Sequence, residues 1–325
     1  MKNTFALAKL VISAAVLSCA GLATATANTN YPEKKIRLVV PFAAGGGVDA
    51  LARPLAKEMT ETLGQSVYVE NKASATGQVG AIEVAKSDPD GYTVLISSAA
   101  FGTTPIFYPS VPYDPIKDFK IVSVLAASPQ ILVTRKNFPA KTVKELIEMG
   151  KRGEKINFAL TGVSGMQALA AALLQAQAVI EFLKVPYKGA GAALPDLIGG
   201  TVDIMFDNPG SSLPQVTSGR LDLLATTSLE RMPALAKTET VAETLPGFEA
   251  LNWFVLAVPK NTPDAVVQKI NASATKAIKS PALKNFIDTN GIIIIANSPA
   301  EAQAFITKDV AKWRDLVKKQ GLQME

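Results

Sequence analysis

The sequence predicts an α/β fold of two lobes, each a mixed sheet flanked by helices, with two crossovers of the chain between the lobes. Apolar, β-rich runs alternate with helical patterns from residue 34 to the end of the chain, which is typical of α/β architecture. The length of 325 residues favours about two domains. One design, a strand followed by a small-residue loop and the start of a helix, occurs twice, beginning at Ile36 and at Ile156. These observations together predict one such unit in each lobe.

Residues 1–27 have the features of an export signal. Two lysines lie before and within an apolar stretch that includes residues 10–17, and small residues up to Ala27 fit a cleavage site. The apolar run is too short for a permanent membrane-spanning helix. We therefore expect cleavage after Ala27 and a mature protein in the periplasm. The alternative is lipid attachment at Cys19, although Val16 stands where lipoprotein sites usually have Leu.

The first lobe is predicted to begin with five alternating elements. Asp88-Pro-Asp-Gly91 has the composition of a turn before a strand. The stretch 101–120 contains four prolines, and we expect it to be irregular and to run over the surface because proline breaks helix interiors. The predicted elements are strand 35–41, helix 48–63, strand 66–71, helix 77–87 and strand 92–97.

The second lobe is predicted to begin near Ile131 and to be inserted into the first. Near Asn252 the chain is expected to return, which places domain 1 at 28–128 and 252–325 and domain 2 at 129–251. The remaining predicted elements are helix 142–150, strand 156–160, helix 166–178, strand 182–185, helix 190–198, strand 202–206, helix 212–218, strand 221–226, helix 263–279, helix 281–288, strand 292–295 and helix 298–319.

The amino-acid composition excludes several kinds of chemistry. The sequence has no histidine and one cysteine, Cys19, which falls within the predicted signal. A mature chain without either residue has no Ser-His-Asp or Cys-His nucleophile and no thiolate or imidazole metal site. No phosphate-loop motif is present, and Gly45-Gly46-Gly47 does not complete a dinucleotide-binding motif. We therefore expect a protein that is not an enzyme and uses neither metal nor cofactor, although lysine or carboxylate chemistry stays possible.

The charge pattern gives no indication of a nucleic-acid partner. The formal net charge is +5, and it falls to +3 without the two lysines of the predicted signal. The basic residues are spread along the chain and form no dense run. A mildly basic surface is compatible with an anionic ligand but does not select for one.

Two loops have the design of an anion site. In the first, strand 36–42 runs into Ala43-Ala-Gly-Gly-Gly47 before a helix. In the second, strand 156–160 runs into Thr161-Gly-Val-Ser-Gly165 before a helix. The free N–H groups of a first helical turn, together with the positive end of the helix dipole, suit a carboxylate. One such loop in each lobe would clamp an anion, which favours a binding protein over a catalyst.

Several side chains near these loops are candidates for ligand contacts, and most of them have a structural alternative. Phe42 would cover the apolar part of a ligand or belong to the core. Ser97 and Ser98 would point into the same crevice or only form a local turn. Tyr187 offers a phenol beside a third helix start. Asp207 would orient an amine or hydroxyl of a ligand or brace a neighbouring loop.

Motifs along nearly the whole mature chain resemble those of one receptor family. Each motif alone is weak, but their order and spacing together are highly specific. They are Tyr31-Pro32, Val39-Val-Pro-Phe-Ala-Ala-Gly-Gly46 with Asp49 and Arg53, Val69-Glu-Asn-Lys72, Pro89-Asp-Gly-Tyr-Thr93, Tyr113-Asp-Pro, Val185-Pro-Tyr-Lys-Gly189, Met205-Phe-Asp-Asn208 and Leu245-Pro-Gly-Phe-Glu249 with Trp253. In these motifs the chain resembles Bug-type receptors, the periplasmic solute-binding proteins of tripartite tricarboxylate transporters.

The resemblance implies a venus-flytrap receptor that closes over a small organic carboxylate and delivers it to integral membrane transporter subunits. It also implies that backbone N–H groups of the two loops and ordered waters hold the carboxylate. We expect a monomer. The residues expected at the ligand are Phe42, Ala43, Ala44, Gly45, Gly46, Ser97, Ser98, Thr161, Gly162, Ser164, Gly165, Met166, Gln167, Tyr187 and Asp207.

Two departures from the family pattern bear on the ligand. The chain has Gly47-Val48 where the family often has Ser-Thr, and Met166-Gln167 where the family usually has Ser or Thr followed by His. Both replacements remove polar contacts near the predicted site. The resemblance implies a di- or tricarboxylate, and the departures extend the expectation to less polar or larger acids, including an aromatic carboxylate.

Two other functions stay open at this point. A sensory receptor that presents its closed form to a membrane kinase would use the same conformational change. An exported enzyme would need a strongly perturbed carboxylate or lysine in the crevice, and Asp207 or Lys188 would be the residue to test.

Overall fold

Two six-stranded mixed sheets form the framework of the protein in the computed structural model, which describes residues 30–74, 76–161, 165–187 and 189–321. These elements belong to one unit, Pro32–Glu325. The strands are β1 Ile36–Val40, β2 Val67–Asn71, β3 Thr93–Ser98, β4 Phe119–Pro129, β5 Ile131–Arg135, β6 Asn157–Leu160, β7 Leu183–Pro186, β8 Ile204–Asp207, β9 Leu221–Thr226, β10 Glu239–Thr240, β11 Leu251–Pro259 and β12 Ile293–Ile294. The helices are α1 Gly47–Leu63, α2 Gln78–Ala85, α3 Ala100–Phe107, α4 Val143–Lys151, α5 Met166–Ala178, α6 Ala190–Gly199, α7 Pro209–Thr217, α8 Val241–Thr244, α9 Asp264–Ala277, α10 Pro281–Thr289 and α11 Pro299–Gln320.

Both sheets combine parallel and antiparallel strands. The first has the order β12-β4-β11-β3-β1-β2, and the second has the order β10-β9-β5-β8-β6-β7. β1 is parallel to β2 and β3, and β6 is parallel to β7 and β8. β11 is antiparallel to β3 and β4, and β5 is antiparallel to β8 and β9. The prediction of an α/β fold with a mixed sheet in each lobe is therefore confirmed.

The chain passes between the two sheets at two adjacent crossovers. β4 continues through Gln130 directly into β5, and Ala250 leads from the second sheet into β11. Thr227 connects the crossovers: its N–H donates to the Gln130 carbonyl (3.0 Å), and its carbonyl accepts from the Ala250 N–H (3.1 Å). Its hydroxyl accepts from the Gln130 N–H (2.7 Å) and donates to the Ala250 carbonyl (2.6 Å). The predicted domain boundaries stay a prediction.

Helix α1 shows how the local sequence builds the first strand–loop–helix unit. Its buried residues recur at helical spacing and pack its inner face on the sheet, which favours a helix over a strand. Gly64 ends the helix in the left-handed conformation, at φ 68°, and its N–H bonds the Thr60 carbonyl. The buried residues are Val48, Asp49, Leu51, Ala52, Leu55, Ala56 and Met59.

The prediction that 101–120 is irregular and superficial is wrong for its first part. Helix α3 runs from Ala100 to Phe107 and is mostly buried, with Pro105 inside it. Pro105 has no N–H, so the Phe101 carbonyl, four residues earlier, lacks its helical donor. The hydroxyl of Tyr113 donates to that carbonyl at 2.9 Å. This hydrogen bond replaces the one that the proline removes, so the helix tolerates Pro105. Local helix propensities could not predict it, because Tyr113 lies outside the helix.

Two further predictions differ from the structure or fall outside it. Strand β4, Phe119–Pro129, is absent from the predicted elements although it pairs along its length with β11. The predicted export signal at 1–27, with Cys19, lies outside the described residues. Among the helices of the described residues, none combines the length and apolar character needed to cross a bilayer.

Candidate ligand-binding site

Two adjoining cavities lie where strands of both sheets end, and together they form what we call the cleft. The larger is about 520 Å³ and the smaller about 240 Å³. Ser98, Asn208 and Asn252 line both cavities. The carboxyl ends of strands are where open α/β sheets bind ligands. Two other grooves, of about 520 and 1000 Å³, are each lined from one lobe only and do not include the predicted loops.

Four helices begin at the cleft, two from each lobe. α1 begins after Gly46, α3 after Ala99, α5 after Gly165 and α7 after Asn208. None of these four starts is capped by a side-chain hydrogen bond. Within the described part of the chain, no charged side chain lines either cavity. Helix dipoles and backbone N–H groups therefore supply the positive potential that a lysine or arginine would provide elsewhere.

The first loop, residues 41–46, is held by a buried carboxylate. Asp49 is 2% exposed and accepts hydrogen bonds from the Gly45 N–H, from Nε and Nη2 of Arg53, and from Nδ2 of Asn71, each at 2.9 Å. Nδ2 of Asn71 also donates to the Phe42 carbonyl at 3.1 Å. Burial acts to raise the pKa of the Asp49 carboxyl, but these donors outweigh it and hold the pKa below its usual value.

This arrangement shows which backbone donors of the first loop face the cleft. The Gly45 N–H is bonded to Asp49, and the Gly46 N–H points to the Ala43 carbonyl at 3.3 Å. Gly46, Gly47 and Val48 line the larger cavity, and no described residue accepts from the N–H of Gly47 or Val48. Ala43 and Ala44 are exposed and do not line either cavity. The donors available to a ligand thus lie one or two residues beyond the predicted glycines.

The second loop contributes through the start of α5. Gly165, Met166 and Gln167 line the smaller cavity, and no described residue accepts from the N–H of Met166 or Gln167. Thr161 is partly exposed and does not line either cavity. The predicted residues Gly162 and Ser164 lie outside the described residues, as does Lys188.

The other predicted side chains divide between cleft and interior. Phe42 lines the larger cavity and Ser98 lines both, whereas Ser97 is buried and lines neither. The phenol of Tyr187 donates to Oδ2 of Asp196 at 2.6 Å, which raises the pKa of Tyr187 to about 12. Neither tyrosine nor aspartate of this pair lines the cleft.

Asp207 lies inside the second lobe under the start of α7. It is fully buried, its Oδ2 accepts from the Ser212 hydroxyl at 2.6 Å, and its Oδ1 has no partner among the described residues. Burial raises the pKa of its carboxyl. It does not line either cavity. This placement matches the bracing role rather than direct contact with a ligand.

Several residues of the cleft were not among the predicted ones. Asn208 follows β8 directly, and the signal that could have found it is Pro209, since proline favours the first position of a helix and the residue before it is then the cap. The predicted start of that helix at 212 is three residues late. The other polar residues are Thr103, Ser128, Ser211, Asn252 and Asn290, and the apolar wall adds Phe254, Phe286 and Ile292.

The cleft offers hydrogen-bond donors and an apolar wall. Its polar side chains are hydroxyls and amides, and the described residues contain no cluster of acidic, cysteine or histidine side chains that could hold a metal. Such a set of groups can hold an anion, orient it and cover its carbon skeleton.

The chain is similar in sequence and in fold to proteins of one known family. Residues 51–322 match the model of the tripartite tricarboxylate transporter family receptor. The structure of the periplasmic binding protein BugD is 36% identical, with a TM-score of 0.72, over 91% of this chain and all of that one. MatC from Rhodopseudomonas palustris with bound malate is 30% identical (TM-score 0.71, covering 88% of this chain and 100% of that one). R. palustris Rpa4515 with adipate is 31% identical (TM-score 0.74, covering 90% and 98%). The chain therefore belongs to the tripartite tricarboxylate transporter receptors, a family of periplasmic solute-binding proteins that includes the Bug-type receptors.

Proposed function

We propose that this receptor captures a small organic carboxylate in the cleft, in the periplasm, and delivers it to a tripartite tricarboxylate-type membrane transporter. The observation that supports this most directly is the meeting of four uncapped helix starts around cavities that no charged side chain of the described residues lines. An anion would satisfy N–H groups that otherwise have no partner among the residues that the structure describes. An uncharged ligand would bring no negative charge to balance the positive ends of the four helix dipoles.

The grip on the carboxylate would come from both lobes. On the first lobe, the N–H groups of Gly47 and Val48 and the hydroxyl of Ser98 are available to it. On the second, the N–H groups of Met166 and Gln167 are available, and the predicted Gly162 and Ser164 belong to the same loop. Closing the lobes would exclude water, which strengthens charge-assisted hydrogen bonds.

The shape of the wall restricts the rest of the ligand. Phe42, Phe254, Phe286 and Ile292 make much of the larger cavity apolar, while helix starts lie at both cavities. The related structures hold malate and adipate. We propose a ligand with a carboxylate at one or both ends and an extended or aromatic carbon body. Its apolar part would lie in the larger cavity.

Delivery would depend on closure of the two lobes about the two crossovers. A ligand shifts an open–closed equilibrium only by its difference in affinity for the two states, so contacts to both lobes are required. The predicted boundaries, 28–128 with 252–325 and 129–251, fit this movement. We propose that the receptor acts as a monomer, with closed and open shapes distinguished by the membrane subunits.

Calorimetry on the mature chain with malate, adipate, citrate and benzoate tests the proposal. We expect saturable binding of at least one acid, a higher melting temperature with that acid, and a smaller radius of gyration in solution scattering. Native mass spectrometry of protein purified without refolding would weigh any acid that remains bound. Absence of binding, stabilisation and compaction across these acids would contradict the proposed function.

A proline substitution tests the backbone donor at α1. Gly47→Pro removes one N–H at the first helical position, where proline is well tolerated, and the extended Gly46 before it is compatible with proline. We expect affinity for the acid to fall by about tenfold or more, equivalent to at least ~1.4 kcal/mol, with the melting temperature of the ligand-free protein unchanged.

Ala190→Pro is the matched control, since it makes the same change at the start of α6, which does not line the cleft. Equal losses of affinity in the two variants would show that the Gly47 N–H is not a ligand contact.

A further inference from the structure

Gln130 lies at the crossover from the first sheet to the second, and its side chain reaches a residue of the cleft. It is fully buried, and its Nε2 donates to Oδ1 of Asn208 at 3.2 Å. Its backbone is fixed on both sides, because its N–H donates to the Thr227 hydroxyl and its carbonyl accepts from the Thr227 N–H. Gln130 therefore has little freedom to follow movements of Asn208.

This bond determines which end of the Asn208 amide the cleft meets. An asparagine side chain has an accepting oxygen and a donating nitrogen. The oxygen is engaged by Gln130, while Asn208 lines both cavities and no described residue accepts from its Nδ2. Asn208 therefore presents a hydrogen-bond donor, its Nδ2, to the cleft at the point where the two cavities join.

Stability alone does not account for a glutamine at this position. Its Oε1 is buried and has no hydrogen-bond partner among the described residues, which is unfavourable. A methionine of similar length would avoid that loss. The retained benefit of the amide is the bond to Asn208.

We propose that Gln130 is a positioning residue that makes the receptor prefer a carboxylate over its neutral amide analogue. It does so by presenting Nδ2 of Asn208 to the ligand. With Gln130 absent, the Asn208 amide could rotate and offer its oxygen instead, which would repel a carboxylate and accept from a carboxamide. This inference rests on the proposed function and adds to it the origin of one part of its selectivity.

The test compares acids with their amides in the Gln130→Met variant. Calorimetry with adipate and adipamide, malate and malamide, and benzoate and benzamide gives the ratio of acid to amide affinity. We expect that ratio to fall by at least tenfold in the variant, while the ligand-free melting temperature stays equal or rises because the unpaired Oε1 is removed. Gln215→Met is the control, because it removes a second buried, unpartnered amide oxygen at a position that does not line the cleft.

The outcomes separate this inference from the proposed function. If the wild-type protein binds neither these three acids nor citrate, the proposed function fails and the inference fails with it. If it binds an acid and Gln130→Met keeps the wild-type ratio, or weakens acid and amide equally, the inference alone is wrong. A lower ratio in Gln130→Met with no change in Gln215→Met supports it.

Discussion

At the scale of single residues, three polar residues of the motifs that suggested the family shape the binding loop and do not touch the cleft. Asp49, Arg53 and Asn71 form one hydrogen-bonded cluster, and that cluster holds the Gly45 N–H and the Phe42 carbonyl. None of the three lines either cavity. Gly45 adopts φ 82°, a conformation that residues with a side chain rarely adopt. The loop therefore needs both this glycine and the hydrogen-bonded cluster that holds it. The loop is therefore preorganised before any ligand arrives.

Asp49→Asn is expected to destabilise the protein at neutral pH and to weaken ligand binding. The amide has one acceptor and no charge for Arg53, so we expect a loss of about 1–3 kcal/mol in the free energy of unfolding. The pKa of this carboxyl is lower in the folded protein, so its stabilisation is present above the ordinary value of 3.8 and is lost as the pH falls through the lower, folded value. Urea unfolding at pH 7 and near pH 3 measures both effects.

Asp264→Asn is the control for this prediction. Asp264 also lies in a first helical turn and pairs with Lys120, but its side chain is 88% exposed. We expect only a small change in stability there. The assigned role would be contradicted if Asp49→Asn were as stable as the wild type at pH 7, or if its loss in free energy of unfolding grew towards low pH.

At the scale of elements, helix α3 depends on a distant hydroxyl. Tyr113 lies twelve residues after Phe101, and both are buried with their rings stacked at a centroid distance of 5.8 Å. The start of α3, at Ala99 and Ala100, lines the smaller cavity. The internal proline, the tyrosine that compensates for it and one wall of the cleft are therefore structurally linked.

Tyr113→Phe should lower the free energy of unfolding by about 1–3 kcal/mol, because it leaves the Phe101 carbonyl buried without a donor. Pro105→Ala restores an N–H that can donate to that carbonyl. The cost of losing the hydroxyl should therefore be smaller in the Pro105→Ala background, which denaturant unfolding of the four proteins in a double-mutant cycle would measure. If removal of the Tyr113 hydroxyl lowered the free energy of unfolding equally in both backgrounds, the hydroxyl would not be compensating for the N–H that Pro105 lacks.

Sequence periodicity was sufficient to predict most helices and strands and two of the four helix starts at the cleft. Helix 166–178 and strand 221–226 are found as predicted, since apolar spacing and flanking glycines determine them locally. It was not sufficient for α3, where a nonlocal hydrogen bond offsets a proline. Phe286 and Asn290 could not be predicted either, because the end of α10 reaches the cleft only through packing against elements distant in sequence.

At the scale of the whole molecule, the lobes also touch away from the crossovers. The end of α10 in the first lobe meets the start of α7 in the second, where a Cβ on Gly210 would lie 2.7 Å from Oδ1 of Asn290. A Cβ on Gly291 would lie 2.7 Å from Cε of Met232. Asn290 and Gly210 also line the larger cavity. A ligand in the larger cavity would lie beside this contact, so ligand binding and lobe position would influence one another there, in a sensory receptor as well as in a transport receptor.

Gly210→Ala tests whether that contact sets the spacing of the lobes. Alanine favours the helical conformation, so α7 itself should gain stability, but the new methyl group meets Asn290 at a cost of about 1–3 kcal/mol if the lobes keep their positions. We expect the lobes to separate instead, with a larger radius of gyration in scattering of the ligand-free protein and a reduced affinity for the acid. Gly199→Ala, at the end of α6, is the matched control, since a Cβ there meets nothing within 4 Å. An unchanged radius and affinity in Gly210→Ala would mean that Asn290 turns aside without cost and that lobe spacing is set by the crossovers alone.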